Sequence, residues 1–161
     1  MTQIKIDKYW MKKAIKLALK AKNLGEIPVG AILIKNNQLI STGLNRSIID
    51  HNPIAHAEML VLQQAGKILK NYRLTNTTLY VTLEPCIMCM SAIIHSRINR
   101  LVYGTKNNKT NFYNSLIKFK KYINIENCNI NIVSGVLEKD CTLILKTFFK
   151  TLRKKNIKNI K

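Results

Sequence analysis

Hydrophobic positions recur along this chain in two alternating rhythms. Over residues 7–22 they fall at helical spacing, with Met11, Ala14, Ile15 and Ala18 on one stripe and Gly25 following as a stop. Residues 29–34 (Val-Gly-Ala-Ile-Leu-Ile) and 38–43 read as two strands joined at Asn36-Asn37, a pair that tolerates a tight turn. A second helix is expected over 55–70, after Pro53. Leu79 to Leu83 read as a third strand. Pro85 then opens a short helix over roughly 86–95, because proline suits a helix start. Leu101-Val102-Tyr103 and Ile130 to Val133 are further strands. From Leu137 a final helix repeats apolar residues at Leu137, Cys141, Ile144, Leu145, Phe148 and Leu152, a single buried stripe. The Asn- and Lys-rich stretch 105–128 carries neither rhythm and reads as a loop with one irregular helical turn. Strands alternating with helices predict an α/β sheet covered by helices.

The length of 161 residues suits one domain, 1–161, and the 47% hydrophobic content suits a soluble globular class. Lys12, Lys13, Lys16 and Lys20 interrupt the apolar residues near the N-terminus, so no signal-peptide core forms there. No stretch reaches the ~20 apolar residues of a membrane span. A cytoplasmic location without membrane contact is therefore expected. Cys86 and Cys89 are paired in sequence, as suits a metal or redox site in a reducing compartment, whereas Cys128 and Cys141 read as small buried hydrophobes.

The net charge of +19 changes the picture, because it favours a polyanionic partner such as nucleic acid. Composition offers a second source of that charge. The chain holds 22 Lys, 18 Asn and 23 Ile, all encoded by A+T-rich codons. Distribution is more informative than the total. Residues 146–161 carry Lys146, Lys150, Arg153, Lys154, Lys155, Lys158 and Lys161 with no acid, a basic C-terminal helix or tail suited to phosphate contact.

The candidate chemistry lies in His56-Ala57-Glu58 and Pro85-Cys86-Ile87-Met88-Cys89. Imidazole and thiolate are ligands that tetrahedral zinc prefers, and three of them leave a fourth position open, as in catalytic sites. Cys86 and Cys89 sit three apart, so the first turn of a helix puts both sulfurs on one face, where its N-terminal dipole favours thiolate. His56 must come from the start of the other helix, so two helix N-termini meet at one metal. In mid-helix, His56 and Glu58 would stand about 200° apart, so the pair belongs at a helix mouth. Glu58 is better used as a proton carrier than as a fourth ligand, because a closed site would leave the zinc without a water to activate. His51 and His95 read as solvent or packing histidines. The H-x-E…P-C-x-x-C pattern as a whole is a signature of zinc-dependent nucleobase deaminases.

The residues around these motifs extend the likeness. Ala55-His56-Ala57-Glu58-Met59, Thr82-Leu83-Glu84-Pro85-Cys86-Ile87-Met88-Cys89 and Ile94-His95-Ser96-Arg97-Ile98 closely resemble the bacterial tRNA-specific adenosine deaminases. So do Glu26-Ile27-Pro28-Val29-Gly30-Ala31, Gly43-Leu44-Asn45-Arg46 and Asn71-Tyr72-Arg73-Leu74. The resemblance implies a cytidine deaminase-like three-layer sandwich with a five-stranded mixed sheet, acting as a homodimer. It implies one zinc ion held by His56, Cys86 and Cys89, with Glu58 as proton shuttle. It makes Asn45 a contact to the flipped base or its ribose and places Pro28, Val29 and Leu83 near the pocket wall. An Asn amide can both donate to and accept from a base edge. The implied reaction is attack of zinc-generated hydroxide on C6 of the wobble adenosine in a tRNA anticodon, giving inosine. Anticodon loops offer unstacked bases, and Lys and Arg would hold the phosphates. The chain departs from its relatives after Tyr103-Gly104, where Thr105 to Ser115 carries Asn107 in place of a common Asp, and Asn and aromatic residues in place of glycines.

Two other functions compete. A zinc deaminase of free bases or nucleosides, of guanine or cytidine type, has the same ligands but no need of a basic helix. A non-catalytic RNA-binding module held by zinc has no use for Glu58 beside an open metal position.

Overall fold

The computed structural model describes residues 2–107 and 130–158, with the side chains of 155–158 excepted. The elements run α1 (Gln3–Asn23), β1 (Gly30–Lys35), β2 (Gln38–Leu44), α2 (Ala57–Leu69), β3 (Thr77–Leu83), α3 (Ile87–His95), β4 (Arg100–Thr105), β5 (Asn131–Ser134) and α4 (Glu138–Lys158). The five strands form one mixed sheet in the order β2-β1-β3-β4-β5. β1 is antiparallel to both neighbours, and β3, β4 and β5 run parallel. The β1–β2 turn forms as expected: Asn36 and Asn37 take φ of 49° and 58°, left-handed values that Asn tolerates and a two-residue hairpin needs.

Period-two alternation explains the three layers. Ala31 and Leu33 of β1, Leu79 and Val81 of β3, and Leu101 and Tyr103 of β4 point to one side of the sheet, where they pack with α2 and α3. Ile32, Ile34, Tyr80 and Val102 point to the other side and meet Trp10, Met11 and Ala14 of α1 and Cys141 of α4. A sheet buried on both faces has no polar side, so its strands read as nearly continuous apolar runs.

Several boundaries differ from those the sequence predicts. α1 begins at Gln3, a turn before residue 7, and is held early by Gln3, whose amide donates to Asp7 at 3.0 Å. α2 begins at Ala57 rather than at residue 55, because His56 is an extended cap residue. α3 begins at Ile87, because Cys86 is its cap, and Pro85 stands one place before that cap instead of opening the helix. The α4 stripe is narrower than expected. Cys141 and Phe148 are buried, but Leu152 is 38% exposed because the end of the helix runs past the sheet. Most of the 105–128 stretch, expected to be a loop, lies outside the described residues.

One polar cluster ties α1 to the sheet. Asp7 is buried and accepts from Tyr80 Oη at 2.8 Å and from Arg100 Nη1 and Nη2 at 2.8 and 2.7 Å. Burial alone would raise the Asp7 carboxyl. The Arg100, Gln3 and Tyr80 hydrogen bonds outweigh it and hold the group below its ordinary value. A lowered folded-state pKa gives stability that is present above the unfolded value and is lost as pH falls through the folded one. Asp7→Ala should therefore cost about 3 kcal/mol at pH 7, since it leaves the partly buried Arg100 guanidinium unpaired. Denaturant midpoints at pH 7 and pH 3 check this, because the gap between variant and wild type should shrink at the lower pH.

Candidate metal centre and active site

His56 and Cys86 are the caps of α2 and α3, with extended backbone at φ/ψ of −73°/152° and −71°/172°. An extended cap turns its side chain across the open end of the helix, where the first N–H groups have no helical partner. The two helix mouths face one another. His56 Nδ1 lies 3.6 Å from Cys86 Sγ and 3.4 Å from Cys89 Sγ, and the three donor atoms fall within 4.8 Å of one another. A tetrahedral zinc with ordinary Zn–S and Zn–N bonds separates sulfur from nitrogen by about 3.6 Å. The residues therefore fit a zinc ion in donor type, number and spacing.

A glycine sets this geometry. A Cβ on Gly43 would collide with the Ala57 carbonyl, so the end of β2 lies directly against the first turn of α2. That approach fixes the depth of His56 and Glu58 relative to the sheet. On the other side Cys89 is wholly buried, whereas Cys86 is partly open. Hydrogen bonding from Cys89 brings the Cys86 thiol down to about 5 against the cost of its burial. The same bond, together with burial, pushes the Cys89 thiol well above its usual range.

Glu58 sits in the first turn of α2, 4% exposed and within hydrogen-bond reach of Cys89. Burial, reinforced by the negative charge on Cys86, pushes its carboxyl up to about 7. Such a group exchanges protons near neutrality, as a general acid–base must.

The remaining expected residues lie at the entry to β1 and at the ends of β2 and β3. Pro28 and Val29 are buried at the entry to β1, and Leu83 is half-buried at the end of β3. Val29 belongs to the core under α2 and α3, with Leu83 packed against it. Asn45 is 6% exposed, and its backbone N–H donates to the Val29 carbonyl at 3.0 Å. Its Nδ2 donates to Glu26 Oε2 at 3.1 Å, which fixes the amide's orientation.

Two further carboxylates, Glu26 and Glu84, are buried and hold backbone segments together. Glu26 is fully buried and also accepts from the backbone N–H groups of Ile48 and Ile49, both at 2.8 Å. It thereby clamps Asn45 and the loop after it to the entry of β1. Glu26→Ala would leave those donors facing a void, each at a cost of about 1–3 kcal/mol. The expected result is a folded but less stable protein, whose denaturant midpoint falls below that of the wild type. Glu84 accepts from the Asn107 N–H at 2.9 Å, and its own N–H donates to the Thr105 carbonyl at 2.8 Å. It ties the start of the divergent loop to the residue beside Pro85 and Cys86. Both acids lie in stretches that carry the resemblance, but nothing in the sequence assigns either of them a partner.

Among the described residues, Cys141, His51 and His95 are not part of the metal-ligating group. Cys141 is buried against Gly104, where any Cβ would strike its sulfur, and burial pushes its thiol up to about 12. Cys128 lies outside the described residues. His51 is exposed in a turn at φ 47°, and His95, at the end of α3, stacks on Tyr72 with ring centroids 6.0 Å apart.

The chain is similar to known proteins in sequence and in fold. Residues 4–105 match the family model of the cytidine and deoxycytidylate deaminase zinc-binding region. A tRNA-specific adenosine deaminase of Buchnera aphidicola subsp. Baizongia pistaciae is 53% identical over 148 residues, 92% of this chain and 91% of that protein. One of the same name from Bacillus subtilis is 43% identical, covering 96% of this chain and 94% of its own. Among solved structures, one from a study of A-to-I editing by tRNA:A34 deaminases at the wobble position superposes with a TM-score of 0.76. It is 34% identical and covers 85% of this chain and 99% of its own. A guanine deaminase from Bacillus subtilis superposes less well, with a TM-score of 0.63 at 31% identity over 74% of this chain and 76% of its own.

Proposed function

We propose how this chain acts from one premise: it belongs to the zinc-dependent tRNA-specific adenosine deaminases. It converts adenosine to inosine at the wobble position of a tRNA anticodon, with water entering at C6 and ammonia leaving. His56, Cys86 and Cys89 hold one zinc ion per chain, which when bound supplies a water acidified to a pKa of ~7. Glu58 takes a proton from the attacking water and delivers it to the ring nitrogen, then takes the second proton from the new C6 hydroxyl and passes it to the departing amine. The flipped base lies over Pro28, Val29 and Leu83, with Asn45 hydrogen-bonding the base or its ribose. Glu26 keeps Asn45 in place. The observation that carries this reading is a buried carboxylate beside a three-ligand metal site whose donors stand at zinc spacing.

The partner of the RNA-bound enzyme is a second copy of the chain. A mostly apolar groove of about 700 Å³ runs along α2 and the end of α3, lined by Ile54, Met59, Leu60, Leu62 and Ala92 and rimmed by Lys67 and Lys70. Its residues Ala55 and Met59 flank the His56–Glu58 segment in sequence, and a self-associating face suits an oligomer built on a two-fold axis. Sedimentation should give twice the chain mass. Among the described residues no helix is long and apolar enough to cross a membrane, and the reading places the enzyme in the cytoplasm with its tRNA.

The test is to incubate the purified protein with bulk tRNA and, separately, with guanine, cytidine and adenosine. Inosine should arise in tRNA alone. Product from free bases or nucleosides only would replace this reading with a small-molecule deaminase, and binding without product would replace it with an RNA-binding module.

A further inference from the structure

The positive charge of this chain is organised on the face of the sheet opposite the metal. α1 turns Asp7, Trp10, Met11, Ala14, Ala18 and Ala21 inward. Lys5, Lys8, Lys12, Lys16 and Lys20 are exposed along its outer side. Their spacings of three and four residues place one ammonium on each turn, in a row about 22 Å long. The one acid of the helix, Asp7, is buried and spent on Arg100. α4 packs on the same side of the sheet, joined to α1 by Lys22 Nζ donating to Thr147 Oγ1 at 3.3 Å. Lys146, Lys150, Arg153 and Lys154 are exposed along α4, which has no acid after Asp140. Elsewhere Glu26, Glu58 and Glu84 are buried, so few carboxylates remain to offset the two rows.

We infer that the outer face of α1, continued by α4, is a second RNA-binding surface that grips the phosphate backbone of tRNA outside the anticodon loop. This rests on the reading that the chain acts on tRNA. The anticodon loop must enter where α2 and α3 open, on the other layer of the sheet. The α1 row therefore meets RNA beyond the loop. Its Lys20 end leads through Gly25 into Glu26, Pro28 and Val29 at the site, and from there the row runs outward. A straight row of ammonium groups, one per helical turn, complements a strand of evenly spaced phosphates, and such pairing carries affinity without reading sequence. A membrane surface is a poorer occupant. An interfacial helix must bury its apolar face in lipid, and the apolar face of α1 is already buried against the sheet.

The test compares the full-length protein with a variant carrying Lys5→Gln, Lys8→Gln, Lys12→Gln, Lys16→Gln and Lys20→Gln, and with the matching Lys→Arg set. All five positions are exposed, and thermal melting verifies the fold. Binding is measured by fluorescence anisotropy over a salt series, with full-length tRNA and with its isolated anticodon stem-loop. The Gln set should bind full-length tRNA at least about tenfold more weakly at physiological salt, with a salt slope shallower by ~0.7–0.9 for each phosphate no longer neutralised. Its affinity for the stem-loop should not change, and the Arg set should behave as wild type. Unchanged tRNA affinity and slope would overturn the inference, as would an equal weakening on both RNAs. Loss of sedimentation with phosphatidylserine vesicles alone would instead assign the face to a membrane. Failure of the wild type to form inosine in tRNA would refute the catalytic reading, while these binding measurements would still decide the surface.

Discussion

Glu58→Gln should leave a folded, zinc-loaded protein that deaminates tRNA at least about 10³-fold more slowly. General acid–base groups contribute roughly 10²–10⁴-fold on their own, and Glu58 is assigned more than one proton transfer in a single turnover. Gln keeps the shape of the side chain and can still hydrogen-bond, but it cannot accept and release a proton. The isosteric change leaves no cavity at this buried position. The effect should fall on kcat, with tRNA affinity nearly unaltered, since RNA is held by phosphate contacts elsewhere. Single-turnover inosine formation and metal analysis on the same preparation check both halves. A Glu58→Gln protein that keeps its zinc and also keeps its rate would remove the carboxylate from the mechanism.

What is legible in the sequence follows a physical rule. Elements with a clear apolar pattern are legible: α1 buries one helical stripe, and β1 is buried on both faces and reads as a continuous apolar run. The metal ligands are legible because zinc demands particular donor atoms, and three apart on a first turn is a local constraint. Element ends are less legible. Residues 55 and 56 sit next to helical residues in sequence, yet His56 is extended because its side chain is needed across the helix mouth. Pro85 stands one residue before the cap of α3 for the same reason, since Cys86 occupies the cap. The roles of Glu26 and Glu84 are not legible at all. Each acts on backbone N–H groups some twenty residues away, and backbone donors carry no residue identity to read. The lysines of α1 show in the sequence only as breaks in a signal-peptide pattern. Their alignment as a row emerges once the buried stripe fixes which side faces outward.

Zinc removal should abolish activity while leaving the protein folded. In small zinc domains the metal replaces a hydrophobic core, and chelation unfolds them. Here the two apolar layers on either side of the sheet do not depend on the metal centre. One gathers Leu33, Leu79, Val81 and Ile93, the other Met11, Ile32, Tyr80 and Val102. Chelation, or Cys89→Ala, should therefore lower the melting temperature only by the binding free energy linked to the folded state, about 4 kcal/mol for a free ligand at a thousand times its Kd. Far-ultraviolet circular dichroism should keep its α/β shape. Deamination should fall to the uncatalysed background in both cases, and added zinc should restore the chelated protein but not the variant. The two thiols also differ in how exposed they are. Cys86 is partly open and has a lowered pKa, whereas Cys89 is sealed beneath it. An alkylating reagent should then modify Cys86 first, and bound zinc should protect it. If chelation instead melts the whole chain, the metal is part of the core, and the division between a self-sufficient fold and a catalytic ion fails.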